Sequence, residues 1–157
     1  MNLVFLHGLE STPYGSKYQA LRAVWPTVLA PDTQGVLDLE QRLAIVEREL
    51  AGLDDLVLVG SSFGGLVAVL FTDRHPERVH GYVLCAPALH RGHPDAVTRV
   101  PAVAVVLHGR ADDIVPIEAS RVFCRRFGIE LVEVEDDHVL HGSMDKMIEL
   151  VRQVAGP

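Results

Sequence analysis

Two serines fenced by glycines, Gly60-Ser61-Ser62-Phe63-Gly64-Gly65, interrupt an apolar stretch: Leu56–Val59 precedes them and Leu66–Phe71 follows. Two later apolar runs end in acids, Asp112-Asp113 in one case and Asp136-Asp137-His138 in the other. A hydroxyl, a carboxylate and an imidazole, in that order along the chain, are what covalent catalysis by serine needs. The hydroxyl is a poor nucleophile at neutral pH, so a histidine must take its proton and a carboxylate must orient the ring. Gly60–Gly64 fits G-x-S-x-G with Ser62 at its centre and Ser61 off-centre. That pattern makes a sharp strand-to-helix turn with the central serine exposed above a sheet. The glycines are expected wherever a side chain would collide with so tight a turn. The G-x-x-x-x-G-K-[ST] pattern of a phosphate-binding loop is absent.

Strands and helices must alternate to bring these groups together, and the hydropathy pattern predicts that they do. Short apolar strands are expected at Asn2–Leu6, Thr27–Ala30, Leu56–Val59, Val79–Cys85, Ala102–Leu107 and Ile129–Val134. Helices are expected at Ser16–Trp25, Asp38–Leu50, Phe63–Asp73, Pro116–Phe127 and Ser143–Ala155. Asp38 with Gln41 three residues on resembles a capping box, and proline suits the first turn at Pro116. Leu39, Leu43, Val46 and Leu50 form one stripe, and the helix after Ser62 is apolar nearly all round, as a buried helix is. Met144, Met147, Ile148 and Val151 are expected to face inward from the last helix. Six mostly uniform apolar strands alternating with helices predict an α/β fold, a single-domain doubly wound parallel sheet over residues 1–157. Ligands bind at the carboxyl ends of such strands, which is where His7-Gly8-Leu9, Ser61-Ser62, Asp112-Asp113 and His138 fall.

The composition narrows the partners. Of 157 residues, 14 are basic and 21 acidic, a formal charge of −7, which argues against nucleic acid and anionic membrane as partners. No apolar run reaches the ~18 residues of a membrane span, and MNLVFLHG lacks the basic flank of a signal peptide, so a cytoplasmic location is expected. Cys85 and Cys124 then read as reduced, packed thiols. His90-x-x-His93 has no nearby cysteine and no H-E-x-x-H pattern, so neither metal nor cofactor is expected.

Taken together, HGLES after the first strand, GSSFGG, RHPERVHGYVLCAPAL, HGRADDIVP and the late DDH resemble the α/β-hydrolase superfamily over essentially the whole chain. Within it the chain looks most like small capless bacterial esterases of the YqiA-like kind. The resemblance implies a strand order of 2-1-3-4-5-6. It places the acid four residues after His108, at Asp112 with Asp113 as the alternative, and the base at His138 rather than His141. The oxyanion donors it implies are the backbone N–H groups of Phe63, directly after the nucleophile, and of Leu9. His7 and His108 read as structural turn residues. Larger members insert a lid where this chain has only Ala86–Arg99, so an open site without a lid is expected.

The expected activity is therefore that of a serine hydrolase cleaving carboxylic esters with short or exposed acyl groups through an acyl-enzyme. Its partner would be a small-molecule acyl substrate. A thioesterase or amidase would use the same residues, and a non-catalytic hydrolase-like binding domain is the alternative from another class. Glu133–Asp137 is an acidic stretch that disfavours anionic substrates, with Arg91 and Arg99 as possible offsets.

Overall fold

The computed structural model describes residues 1–156. Five strands, β1 (Asn2–Leu6), β2 (Leu56–Ser61), β3 (Val79–Cys85), β4 (Val103–Gly109) and β5 (Glu130–Val134), form one sheet in the order β1-β2-β3-β4-β5. Every pairing is parallel. The helices are α1 (Ser16–Val24), α2 (Leu39–Glu49), α3 (Phe63–Arg74), α4 (Ile117–Phe127) and α5 (Met144–Ala155).

The sixth expected strand, Thr27–Ala30, is reduced to one bridge, Leu29 against Val4. Leu29 donates its N–H to the Leu3 carbonyl (2.9 Å) and accepts from the Phe5 N–H (2.7 Å). In a parallel ladder the next donor would be residue 31, and Pro31 has no N–H to give. The expected order 2-1-3-4-5-6 therefore holds, with its second strand cut to a single residue pair.

The uniform apolarity of the strands is explained by two separate packed faces. Val4, Leu6, Leu58, Tyr82, Leu84 and Val106 point to one face, where Leu43, Val46, Leu66, Phe71 and Phe123 of α2, α3 and α4 cover them. Leu3, Phe5, Val57, Val59, Val83 and Leu107 point to the other, against Tyr18, Leu21, Met147, Leu150 and Val151 of α1 and α5. Alternate side chains of β1 to β4 are buried on opposite sides, and those of β5 are at most half-buried. In α5 the inward residues are Met147, Leu150, Val151 and Val154, whereas Met144 and Ile148 are only partly covered. Asp38 caps α2, its carboxylate accepting from the Gln41 N–H at 2.9 Å. Cys85 and Cys124 are free and buried, and burial pushes each thiol up to about 11. Among the described residues no helix is long and apolar enough to cross a membrane, and no three His, Cys, Asp or Glu side chains cluster as metal ligands.

Candidate active site

The turn from β2 into α3 forces Ser62 into φ 55°, ψ −117°, a region that costs a residue with a side chain about 1–3 kcal/mol. The surroundings hold it there. Its N–H donates to the Cys85 carbonyl at 2.9 Å, and its carbonyl accepts from Ala88 and Gly65, each at 2.9 Å. A Cβ on Gly64 would run into the Leu6 and His7 carbonyls, and one on Gly60 would come within 2.7 Å of the Gly64 carbonyl and the Gly65 Cα. The turn can therefore close only with glycine at both places. Ser62 stands at the N-cap position of α3 without a side-chain cap bond, and the amide ends of that helix favour negative charge developing nearby.

His138 reaches Ser62 from the loop after β5, its Nε2 3.1 Å from Ser62 Oγ. Its Nδ1 lies 2.8 Å from Asp112 Oδ2. A carboxylate only accepts, so Nδ1 carries the proton and Nε2 is left to receive one. The loops bearing Asp112 and His138 are stitched to each other: the Arg110 N–H donates to the Val134 carbonyl (2.8 Å) and the Ala111 N–H to the Asp136 carbonyl (3.0 Å). The far side of the His138 loop is held by Lys17, a buried lysine of α1 whose Nζ donates to the Val139 carbonyl at 2.7 Å.

The Asp112 carboxylate is wholly buried, while the His138 side chain keeps 20% exposure. Burial opposes the charge on Asp112. The Val115 N–H (2.8 Å), the His138 ring and the Ile114 N–H (2.9 Å) outweigh it, so its pKa lies below the ordinary carboxylate value. Asp113 is exposed, and the helix start at Pro116 has no side-chain cap. His141 lies exposed in a short 3-10 turn away from this relay. Asp136 and Asp137 bond the Ser143 hydroxyl and the Val139 N–H respectively, within their own loop.

Two histidines read as turn residues do more than turn the chain. His108 is fully buried, with Nε2 3.1 Å from both the Val115 carbonyl and Asp112 Oδ2, and Nδ1 2.7 Å from Ser120 Oγ. Both neighbours of Nε2 are acceptors, so Nε2 bears the proton and Nδ1 accepts from the Ser120 hydroxyl. Asp112 Oδ2 thus lies between two imidazoles. His7 is also buried. The Thr33 N–H donates to its Nε2 at 3.0 Å, which leaves the proton on Nδ1, 2.9 Å from the Gly8 carbonyl. Burial holds both rings below the ordinary histidine pKa. The i, i+4 spacing in His108-Gly-Arg-Ala-Asp112 was the available signal for the first contact.

Around Ser62 opens a cleft of about 500 Å³, lined among others by Leu9, Lys17, Phe63, Arg91, Val115 and Val139. Neither the Leu9 nor the Phe63 N–H donates to another protein group among the described residues. Residues Ala86–Arg99 form a loop with one 3-10 turn (Pro94–Ala96) and raise no domain over the cleft. One acid of β5 is matched by cations: Glu133 pairs with Arg121 (2.6 Å) and Arg110 (3.4 Å).

Residues 28–105 match the family described as serine aminopeptidase, S33. Protein ABHD14A of Danio rerio is 31% identical over 128 residues, which is 71% of this chain and 47% of that protein; the chain matches about half the length of that relative. A candidate hydrolase of the alpha/beta superfamily from Xanthomonas campestris pv. campestris superposes with a TM-score of 0.83 at 20% identity, covering 98% of this chain and 96% of that one. A monoacylglycerol lipase from Paleococcus ferrophilus gives 0.75 at 18% identity, covering 98% and 93%. At these identities the structural likeness is one of fold.

Proposed function

For a chain that carries the α/β-hydrolase fold and resembles that superfamily in sequence, we propose a serine hydrolase acting on carboxylic esters with Ser62, His138 and Asp112 as its triad. The observation that carries this reading is the unbroken relay from Ser62 Oγ through the His138 ring to Asp112 Oδ2, at 3.1 and 2.8 Å.

Ser62 Oγ attacks the acyl carbon as its proton passes to His138 Nε2. The imidazolium so formed is stabilised by Asp112, which stays ionised. The carbonyl oxygen, now negative, is met by the Leu9 and Phe63 N–H groups, whose freedom from protein partners supports this role. His138 then protonates the departing alkoxide, and water repeats the sequence to release the acid and restore Ser62. The open cleft favours short or exposed acyl groups. The description of the matching family raises the amidase reading, which the same residues would serve; p-nitrophenyl acetate against the matching p-nitroanilide separates the two.

The test of the nucleophile is a fluorophosphonate probe read by intact mass. Wild-type protein is expected to gain one phosphonyl group and Ser62→Ala none. Unlabelled wild type would favour the binding-domain reading. Labelling of both would move the nucleophile elsewhere, to Ser61 first. A strong preference for long-chain emulsified esters would overturn the proposed acyl range.

A further inference from the structure

We infer that Arg42 and His7 are positioning residues that lock the Gly8–Leu9 peptide with its N–H turned toward the cleft, an inference that rests on reading Ser62 as an acyl-transfer nucleophile. Arg42 projects from α2 and is 1% exposed. Its Nε donates to the Val36 carbonyl (2.7 Å), Nη1 to the His7 carbonyl (3.0 Å), and Nη2 to the carbonyls of Gly8 (3.1 Å) and Leu9 (3.0 Å). Among the described residues no carboxylate pairs with it. Burying an unmatched guanidinium is costly, and only a dense set of good acceptors makes it tolerable. Here three of the four acceptors are consecutive carbonyls of the loop that follows β1. Burial lowers the pKa to about 10, which leaves the group charged at neutral pH.

The geometry of one peptide unit turns this grip into a consequence for chemistry. The Gly8 carbonyl and the Leu9 N–H belong to the same planar trans amide and point in opposite directions. Holding the carbonyl inward on Arg42 Nη2 and His7 Nδ1 therefore holds the N–H outward. The His7 proton is fixed on Nδ1 by the Thr33 N–H at Nε2, so His7 donates to the Gly8 carbonyl rather than repelling it. Hydrogen bonds accepted at a carbonyl polarise the N–H at the other end of the same amide. The guanidinium carbon also lies 5.3 Å from the centroid of the Phe63 ring. One buried cation thus touches both residues whose amides are free at the nucleophile.

A purely structural clamp would affect stability and leave the ratio of transition-state to substrate binding alone. The test accordingly compares kcat, KM and the affinity of an alkylboronic acid, which forms a tetrahedral adduct on an active serine, in Arg42→Gln, Arg42→Lys and His7→Gln. Folding of each is checked by circular dichroism and melting. Arg42→Gln is expected to lower kcat about 10- to 100-fold with KM changed less than about threefold. Boronate affinity should fall in parallel with kcat/KM, as expected where transition-state binding is what is lost. Arg42→Lys, which keeps charge but loses the planar fork, should lie between.

A folded Arg42→Gln protein with wild-type kcat, or with reduced kcat and undiminished boronate affinity, overturns the inference. If that variant does not fold, the wild type decides: boronate addition must move the Leu9 amide proton resonance downfield, and an unmoved resonance overturns it. Wild type that takes no fluorophosphonate removes the hydrolase reading and this inference with it. Labelled wild type with insensitive Arg42 variants removes the inference alone.

Discussion

His7-Gly8 and His108-Gly109 are the same dipeptide at the carboxyl ends of β1 and β4, and both histidines are buried with burial-lowered pKa values. They are wired in opposite ways. His7 takes a backbone N–H on Nε2 and donates from Nδ1 to a backbone carbonyl, so it braces main chain. His108 takes a hydroxyl on Nδ1 and turns its Nε2–H toward the Val115 carbonyl and the Asp112 carboxylate, so it braces a side chain. The glycines differ too. A Cβ on Gly8 would meet only ordinary contacts at 3.5 Å, whereas one on Gly109 would strike the Asp136 carbonyl and come within 2.8 Å of that of Asp137. A repeated motif therefore carries no fixed role: the partners supplied by the surrounding loops and by α4 decide which tautomer forms and what it holds.

The contrast can be broken first at the group His108 faces. Asp112→Asn is expected to lower kcat about 10³- to 10⁴-fold by spoiling the His138 tautomer, while the exposed Asp113→Asn stays within about twofold. Ester hydrolysis under saturating substrate reads both, and equal losses would mean the acid is misassigned. Next in size is stability. Gly109→Ala is expected to cost about 3 kcal/mol through overpacking against the His138 loop, and Gly8→Ala less than about 1 kcal/mol. Urea midpoints compare the two directly; equal midpoints would erase the distinction between the pairs.

The smallest effect is the sharpest on the histidines. A buried ring with a lowered pKa is protonated more readily in the unfolded chain, so the folded state loses stability as pH falls below 6.5, the ordinary histidine value. Asp112, also lowered, adds its own loss only as pH falls below 3.8. Denaturation midpoints measured from pH 7.5 to 5 should therefore decline in the wild type. The decline should be shallower in His108→Gln, with the part due to His7 remaining. A slope unchanged by the substitution would show that His108 is not the group responsible.

How much of this could be read beforehand follows from how local each signal is. The elbow at Ser62 was legible because its glycines, the strand before and the helix after all lie within some twenty residues. Asp112 and His138 were placed by their position past strand ends and by resemblance, and the structure brings His138 to Ser62 and Asp112 to His138. Arg42 was not legible: an arginine on a helix ordinarily lies in water, and three of its four acceptors are carbonyls more than thirty residues away. Its spacing, three after Leu39 and four before Val46, did set it on the apolar stripe. Lys17 was hidden for the same reason, since its partner at Val139 lies 122 residues on. The second strand was overcounted because Val28 and Leu29 are apolar, although Pro26 and Pro31 bound the run on both sides.

Those two prolines have a consequence for how the molecule behaves in company. A bare β1 would offer the Leu3 carbonyl and the Phe5 N–H to any extended chain, the template from which strand-by-strand aggregation grows. Leu29 occupies both groups, and the segment cannot itself be lengthened into a sticky margin because Pro31 lacks the next donor. The fragment is a plug rather than a strand. Replacing Pro31 with alanine would restore that donor and open this flank of the sheet to recruitment by its own kind.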